Sequence, residues 1–544
     1  MSGSIVVSDL RFAWPDGEAL FEGLSFAVGP GRSSLIGANG AGKSTLLRLI
    51  TGELAPASGS VRVLGSLGYL PQDLTLQAGL PADEVLGIAG TRRALHAIER
   101  GEGSEADFTA VGADWDIEER ARATLDRLGL PHIGLDRQVG QVSGGETVLL
   151  GLTAQLLRRP DVLLLDEPTN NLDLAARERL YAAVAAWPGL MLIVSHDREL
   201  LELAGQTGEL RAGPGGRSGP VGRERTVRWY GGNLSAYEAA VAAEQEAAQR
   251  GVRAAESDLR RQQRELAEAR IKLDRRRRYG QKMYDTKREP RAVMNERKRE
   301  AQVSAGKHRI LQAGKVEEAA GRLAAARELV RGDEAIRIDL PATAVPAGRT
   351  VLTASQARLR GGACASLEIG GPERIALLGA NGAGKTALLQ AIAGISAPLA
   401  GTVTALVPVR YLPQRLDILD DAATVAGNVG RFAPSATPNA IRARLARFGF
   451  RGARADQVAG GLSGGERFRA SLAALLLAEP APQLLLLDEP TNSLDLASAG
   501  QLSQALAAYR GALIVASHDL EFLRGAGITR WLRLAGTLSE IDPP

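Results

Sequence analysis

The sequence predicts an α/β protein in which two homologous domains are joined by a long antiparallel α-helical hairpin. Three observations carry this reading. Five motifs occur twice, in the same order. Each copy alternates short apolar runs of buried-strand type with helix-like stretches, the pattern of a largely parallel sheet. The stretch between the copies belongs to neither and is dominated by strong helix formers.

The repeat is exact enough to align by eye. Gly37-Ala38-Asn39-Gly40-Ala41-Gly42-Lys43-Ser44 recurs as Gly379-Ala380-Asn381-Gly382-Ala383-Gly384-Lys385-Thr386. Gly68-Tyr-Leu-Pro-Gln72 is echoed by Arg410-Tyr-Leu-Pro-Gln414, and Ser143-Gly144-Gly145-Glu146 by Ser463-Gly464-Gly465-Glu466. Leu-Leu-Leu-Asp-Glu-Pro-Thr-Asn ends at Asn170 and again at Asn492, and Ser195-His-Asp197 returns as Ser517-His-Asp519. The offset is 342 at Lys43/Lys385, 320 at Ser143/Ser463 and 322 at His196/His518. The first copy therefore carries 22 extra residues after its glutamine, placed within Thr91 to Asp116. Gly101 to Asp107 reads there as a polar loop. Domain limits of 1–234, 235–332 and 333–544 follow.

The glycine-rich octapeptide sits between a strand-like run (Ser33 to Ile36) and a helix-like run (Thr45 to Ile50), which is the context of a P-loop. Glycines let backbone N–H groups turn onto phosphate oxygens, and the helix N-terminus adds partial positive charge. Lys43 and Lys385 then reach the β/γ-phosphates, and Ser44 and Thr386 ligate Mg²⁺. The strands ending at Leu165 and Leu487 each deliver two carboxylates. Asp166 and Asp488 suit the metal; Glu167 and Glu489 suit a general base or a positioner of water. His196 and His518 follow apolar strands and read as γ-phosphate contacts, with a structural role as the alternative. Asp173 and Asp495 are expected near the partner domain.

Glu238 to Ile271 and Ala292 to Val330 read as the two helices of the hairpin, with Gly280 and Pro290 as breakers between them. From Arg270 to Arg309 there are fifteen Lys/Arg against five Asp/Glu. Ten net positive charges in forty residues point to a polyanion, although such runs also serve as solvated spacers. Arg275, Arg276, Arg277, Arg278, Lys282, Lys287 and Arg288 are the candidate nucleic-acid contacts. Tyr279, Met283 and Tyr284 either stack on bases or pack between the helices.

At 544 residues the chain has room for two or three cores. Net charge is only +4, so the basic character is local. The one cysteine, Cys364, excludes an internal disulfide and a Cys-based metal site, and reads as a small buried or half-buried apolar residue. The start, Met1-Ser-Gly-Ser-Ile, lacks the basic and apolar regions of a signal peptide. No apolar run is long enough to cross a membrane. A cytoplasmic location is expected. Ala212 to Gly222 has loop composition, between strands near Glu209 and Thr226 to Trp229.

Each copy resembles an ATP-binding cassette (a P-loop NTPase), with Walker A, Q-loop glutamine (Gln72, Gln414), Ser-Gly-Gly signature, Walker B, D-loop and H-loop. The resemblance implies ATP and Mg²⁺ as cofactors, ATP hydrolysis, and head-to-tail pairing of the cassettes. Gly37 to Thr45 then faces Ser463 to Glu466, and Gly379 to Thr386 faces Ser143 to Glu146, so a monomer closes on itself. The glutamines join the Mg²⁺ ligands. Adenine stacks on Trp14 or Phe12; the second copy has only Arg358 or Arg360 in that region. The first signature lacks the two arginines of the second (Arg467, Arg469), which implies unequal sites.

Two cassettes in one chain with a charged hairpin between them resemble the ABC-F family. That resemblance implies a ribosome partner (rRNA and P-site tRNA) and a role in antibiotic resistance by ribosome protection or in translation. The 22 extra residues are similar to a short version of that family's arm. Asn171 and Ser493 stand where the family often has histidine. An energy-coupling subunit of a transporter and a DNA-binding repair ATPase are the alternatives.

Overall fold

The structure is a computed structural model. It describes the chain apart from residues 1–2, 16, 18, 73–78, 171, 213–224, 286–290, 331–339, 415–416 and 493. The side chains at 141, 276–277, 280–281, 283–285, 291–298 and 300–309 are likewise not described. One compact body holds both repeat copies; a second is built from Ala236–Asp333.

The first copy contains β1 (Ser4–Ala13), β2 (Ala19–Val28), β3 (Arg32–Ile36), β4 (Ser58–Leu64), β5 (Leu67–Leu70), β6 (Val162–Asp166), β7 (Leu190–Val194), β8 (Gln206–Ala212) and β9 (Arg225–Gly231). β2, β1 and β4 form an antiparallel three-stranded sheet. The order β5-β6-β7-β3-β8-β9 forms the main sheet, parallel except for β9. β6 and β7 are buried along their whole length, as continuous apolar runs between helix layers require. Topology puts the C-terminal ends of β3, β6 and β7 side by side. The P-loop, Asp166-Glu167 and His196 all lie there.

The second copy repeats this with β10 (Thr350–Arg358), β11 (Cys364–Gly370), β12 (Arg374–Leu378), β13 (Ala400–Ala405), β14 (Val409–Leu412), β15 (Leu484–Asp488), β16 (Ala512–Ala516), β17 (Arg530–Ala535) and β18 (Thr537–Ile541). Here the two sheets join through β18, giving the order β13-β10-β11-β18-β17-β12-β16-β15-β14. Cys364 is exposed rather than buried. Along β11 the core side is taken by Ala365, Leu367 and Ile369, so the period of two turns Cys364 outward.

Both copies bend their first strand in the same way. Asp9 and Gln356 have φ of 45°, and a Cβ on Gly59 or Gly401 would fall 2.2 Å from the carbonyl oxygen of that residue. Glycine is required there because two backbones meet.

Two further parts of the sequence reading change. Gly101 to Asp107 is only half a loop: Ser104 caps the helix Glu105–Val111 with its hydroxyl, and Asp107 returns the bond to the Ser104 N–H. The composition is that of a capping box. Helices Ala89–Glu99 and Glu105–Val111 therefore occupy most of the extra segment, with Phe108 and Trp115 exposed and their rings 6.1 Å apart.

Gly280 does not break the first hairpin helix, which runs unbroken over Leu234–Asp285 for 52 residues, about 78 Å. One glycine costs about 1 kcal/mol against alanine, too little to end so long a helix. The second hairpin helix is Arg291–Glu328. Arg322 bonds Asp258 at 2.7 Å and Arg327 bonds Glu256 at 2.8 Å, so the pair is antiparallel. Ala319 and Leu323 are buried in it. Arg275, Arg278 and Lys282 are exposed, as is Tyr279 at 69%. Lys287, Arg288 and Pro290 lie outside the described residues, as do most of Ala212 to Gly222 and both Asn171 and Ser493. Among the described residues, no helix is long and apolar enough to cross a membrane.

Candidate nucleotide sites

Each P-loop links a buried strand to a helix that starts at its lysine. Gly42 and Gly384, with φ near 100°, bring the chain into the helices Lys43–Thr51 and Lys385–Ile392. Gly37 packs so closely on the next strand that a Cβ would stand 2.7 Å from Leu210 O; Gly379 meets Leu534 O in the same way. The loop is thus a backbone cradle held against the sheet.

Lys43 is buried and donates to Gly37 O at 2.8 Å and Ala38 O at 3.3 Å. Ser44 Oγ donates to Asp166 Oδ1 at 3.1 Å. Glu167 and Glu489 have φ of 48° and 45°, in the left-handed region that costs a non-glycine residue energy. Bonds of 2.8 Å from their N–H groups to Val194 O and Ala516 O hold that turn. The turn aims each carboxylate at the histidine beyond the neighbouring strand. His196 Nε2 lies 3.3 Å from Glu167 Oε1, and His518 Nε2 lies 3.5 Å from Glu489 Oε1.

Burial dominates the electrostatics. It pushes the Glu167 carboxyl up, with Lys43 opposing, and raises Glu489 to about 7. Burial, then the adjacent lysine, lowers His196 and His518 to about 3, so both imidazoles are neutral. Lys43 and Lys385 are lowered by burial and partly restored by the glutamates.

The two sites are not identical. Lys385 Nζ lies 2.7 Å from His518 Nε2, which as a neutral imidazole accepts there, and 3.8 Å from Glu489. Neither Glu489 oxygen has a hydrogen-bond partner despite burial. In the first signature, His132 Nε2 lies 2.7 Å from Glu146; in the second, Arg467 pairs with Asp421. Ser143 and Ser463 each cap their helix in a capping box with Glu146 and Glu466.

The cassettes meet at the P-loop. The Asn39 N–H donates to Asp495 Oδ2 at 3.0 Å, and a Cβ on Gly464 would lie 3.8 Å from Asn39 Nδ2. The second signature therefore faces the first P-loop. Asp173 in turn acts electrostatically on Lys385. A cavity of about 290 Å³ between the cassettes is lined by Glu167, Arg177, His196, Thr491, Asn492 and Asp519.

Gln72 and Gln414 follow β5 and β14 and are exposed. Trp14 is half-buried just beyond β1, edge-on to buried Phe12 at 5.2 Å. Arg358 and Arg360 are exposed. Sequence reasoning missed Tyr69 and Tyr411. Their hydroxyls donate to Asp166 Oδ2 at 3.5 Å and Asp488 Oδ2 at 3.0 Å. The signal was present, since both tyrosines recur within the repeated motif. Replacing both by phenylalanine frees the carboxylates to turn; the Mg²⁺ concentration for half-maximal nucleotide binding should rise by about three- to tenfold, read by titration.

A single carboxylate at a strand end plus a hydroxyl is the oxygen set Mg²⁺ takes when phosphates complete its shell, so the residues present fit the cofactor pair. The family model for "ABC transporter" matches residues 21–170 and 364–492. The tylosin resistance ATP-binding protein TlrC of Streptomyces fradiae is 33% identical over 93% of this chain and 92% of its own. The energy-dependent translational throttle protein EttA of Mycobacterium tuberculosis is 30% identical over 92% of this chain and 86% of its own. This chain belongs to the ABC-F family of ATP-binding cassette proteins. As an ABC-F protein it is an ATPase with two ATP-binding cassettes and a helical hairpin linker. Among solved structures, an "RNase-L Inhibitor" aligns over 98% of this chain and 90% of its own, with a TM-score of 0.53 and 16% identity. A ribosome-bound archaeal Pelota and ABCE1 model aligns over 98% and 78%, with a TM-score of 0.51 and 19% identity. Both show likeness of the tandem-cassette fold.

Proposed function

We propose that this ABC-F protein is a cytoplasmic, ribosome-binding ATPase that protects the ribosome against an antibiotic. ATP-driven closure of its cassettes places the hairpin near the P-site tRNA and the peptidyl-transferase region. The observation that carries the reading is a hairpin segment with ten net positive charges inserted between two cassettes that meet at the first P-loop, where the Asn39 N–H reaches Asp495. The similarity to a tylosin resistance protein over nearly both full lengths favours protection. The similarity to a translational throttle protein supports regulation of translation as the second reading.

In this proposal the bound Mg²⁺–ATP supplies the bond to be cleaved and the negative charge that draws the cassettes together. Gly37 to Thr45 and Gly379 to Thr386 cradle phosphates with backbone N–H groups, and Lys43 and Lys385 neutralise them. Ser44 with Asp166, and Thr386 with Asp488, hold the metal, with Gln72 and Gln414 joining on closure. Glu167 and Glu489 accept the proton of the attacking water, and His196 and His518 orient it against the γ-phosphate. Ser143 to Glu146 and Ser463 to Glu466 close each site from the opposite cassette. Trp14 stacks on adenine in the first site.

Arg275, Arg276, Arg277, Arg278, Lys282, Lys287 and Arg288 contact RNA phosphates. Changing Arg275 to Arg278 to alanine removes four such charges. Ribosome association, measured by sedimentation, should weaken at least about tenfold at physiological salt. Nucleotide binding should be unchanged. Equal loss of both would reduce the hairpin to a structural tie between the cassettes.

A further inference from the structure

Far from the nucleotide sites, the first cassette carries a cavity of about 660 Å³. It lies at the N-terminal ends of β6 and β7, where Pro160, Asp161 and Gly189 enter the sheet. The nucleotide sites occupy the opposite, C-terminal ends. Its walls are apolar, from Leu156, Leu157, Ala182 and Ala183. Its size is that of a pocket for a drug-sized ligand.

The polar groups lining it are mainly donors. Trp187 is 91% buried by its 9% exposure, and its indole N–H has no partner. A buried indole N–H normally finds an acceptor. The Arg120 guanidinium at the wall is already paired, with Asp114 at 2.6 Å and Asp116 at 3.6 Å. Arg127, Arg159 and Arg179 stand at the rim. The Arg179 guanidinium lies directly over Gly129: a Cβ there would fall 2.2 Å from Cζ. Gly129 thus makes the space that seats this cation. The carboxylate at the rim, Asp161, is occupied by the Ser66 N–H and hydroxyl, both at 2.8 Å.

The second cassette is an internal control. At the offset of 322 that relates His196 to His518, Trp187 becomes Tyr509 and Arg179 becomes Gln501; at 320, Arg159 becomes Glu479. Tyr509 is 1% exposed and its hydroxyl donates to Pro482 O at 3.3 Å. The turn Pro341–Thr343 covers this corner: Thr343 Oγ1 accepts from the Arg510 N–H, and Leu340 shares a core with Tyr509. Glu479 pairs with Arg444 at 3.7 Å. There the aromatic has its acceptor, and Glu479 and Gln501 stand in place of the two rim cations. In the first cassette the indole N–H has no such acceptor, and Arg159 and Arg179 put positive charge beside it.

We propose that the first-cassette cavity binds an amphiphilic anion: an aromatic or aliphatic body of drug size bearing a sulfonate, carboxylate or phosphate. The body lies on the Leu156, Leu157 and Ala183 wall. The anion takes the Trp187 N–H and the Arg159 and Arg179 guanidiniums. This inference does not depend on ribosome binding.

The test uses the full chain and 8-anilinonaphthalene-1-sulfonate as probe, followed by fluorescence in saturating Mg²⁺–ATP so that nucleotide sites are blocked. Two variants are compared. Arg159→Glu with Arg179→Gln copies the second cassette at the rim, and Ala183→Trp fills the cavity. One saturable probe site should be present in the parent and weakened at least about tenfold in each variant. Far-ultraviolet circular dichroism and ATP turnover should be unchanged. Probe binding of equal affinity in parent and both variants would overturn the proposal. So would displacement of the probe by inorganic phosphate alone at similar concentration, since that means a bare anion site without the apolar body.

Discussion

Replacing Glu167 and Glu489 together by glutamine should lower ATP turnover by about 10²- to 10³-fold while leaving ATP binding intact. Glutamine matches glutamate in shape, so the left-handed turns at φ 48° and 45° and the N–H bonds to Val194 O and Ala516 O are kept. What is lost is the carboxylate that takes a proton. Burial already holds both carboxyls in the range where they exchange protons near neutrality, with Glu489 at about 7. An amide has no such capacity. The check is steady-state phosphate release alongside equilibrium binding of ATP. Loss of binding in parallel with turnover would show that the glutamates only hold the P-loop lysines in place.

Changing Asp495 to alanine should be the most costly single change at the cassette interface. One carboxylate does two jobs: it caps the helix Leu496–Ala508 through the Ser498 N–H at 2.8 Å, and it accepts from the Asn39 N–H of the other cassette at 3.0 Å. Loss of the cap costs about 1 kcal/mol. Loss of a charge-assisted bond costs about 1.5–3 kcal/mol, and 1.4 kcal/mol is a factor of ten in rate. ATP turnover should fall at least about tenfold, with isolated nucleotide affinity changed less. The matching Asp173→Ala variant loses the cap to the Ala176 N–H at 3.0 Å. Turnover undiminished in both variants would mean that the cassettes do not need this contact to work.

The α/β fold of two cassettes and a helical hairpin was legible because phosphate chemistry constrains sequence tightly. A loop that must present backbone N–H groups has to be glycine-rich. A strand that ends in a metal site has to be an apolar run followed by carboxylates. Duplication then made each motif check the other. Less was visible where a residue's meaning depends on its neighbours in space. Gly280 has helix-breaking chemistry, but 52 residues of helix outweigh it. Ser104 to Asp107 has loop composition and is a helix start. Cys364 is outward only because β11 has a fixed register with the core on its other face. Tyr69 and Tyr411 stood inside a repeated motif, but their hydroxyl bonds to Asp166 and Asp488 require knowing that β5 lies beside β6 and β14 beside β15. The first-cassette cavity has no motif at all. Its donors come from stretches far apart in the sequence, and only the filled counterpart in the second cassette marks it as unusual.

Nucleotide-driven closure is proposed to seat this ABC-F protein on the ribosome. The most direct measurement is sedimentation of the Glu167→Gln, Glu489→Gln protein with purified 70S ribosomes, with ATP and without it. The protein should travel with the 70S peak when ATP is present and stay at the top of the gradient when it is absent. Protein that remains at the top in both conditions, while retaining ATP and binding duplex DNA, would contradict it.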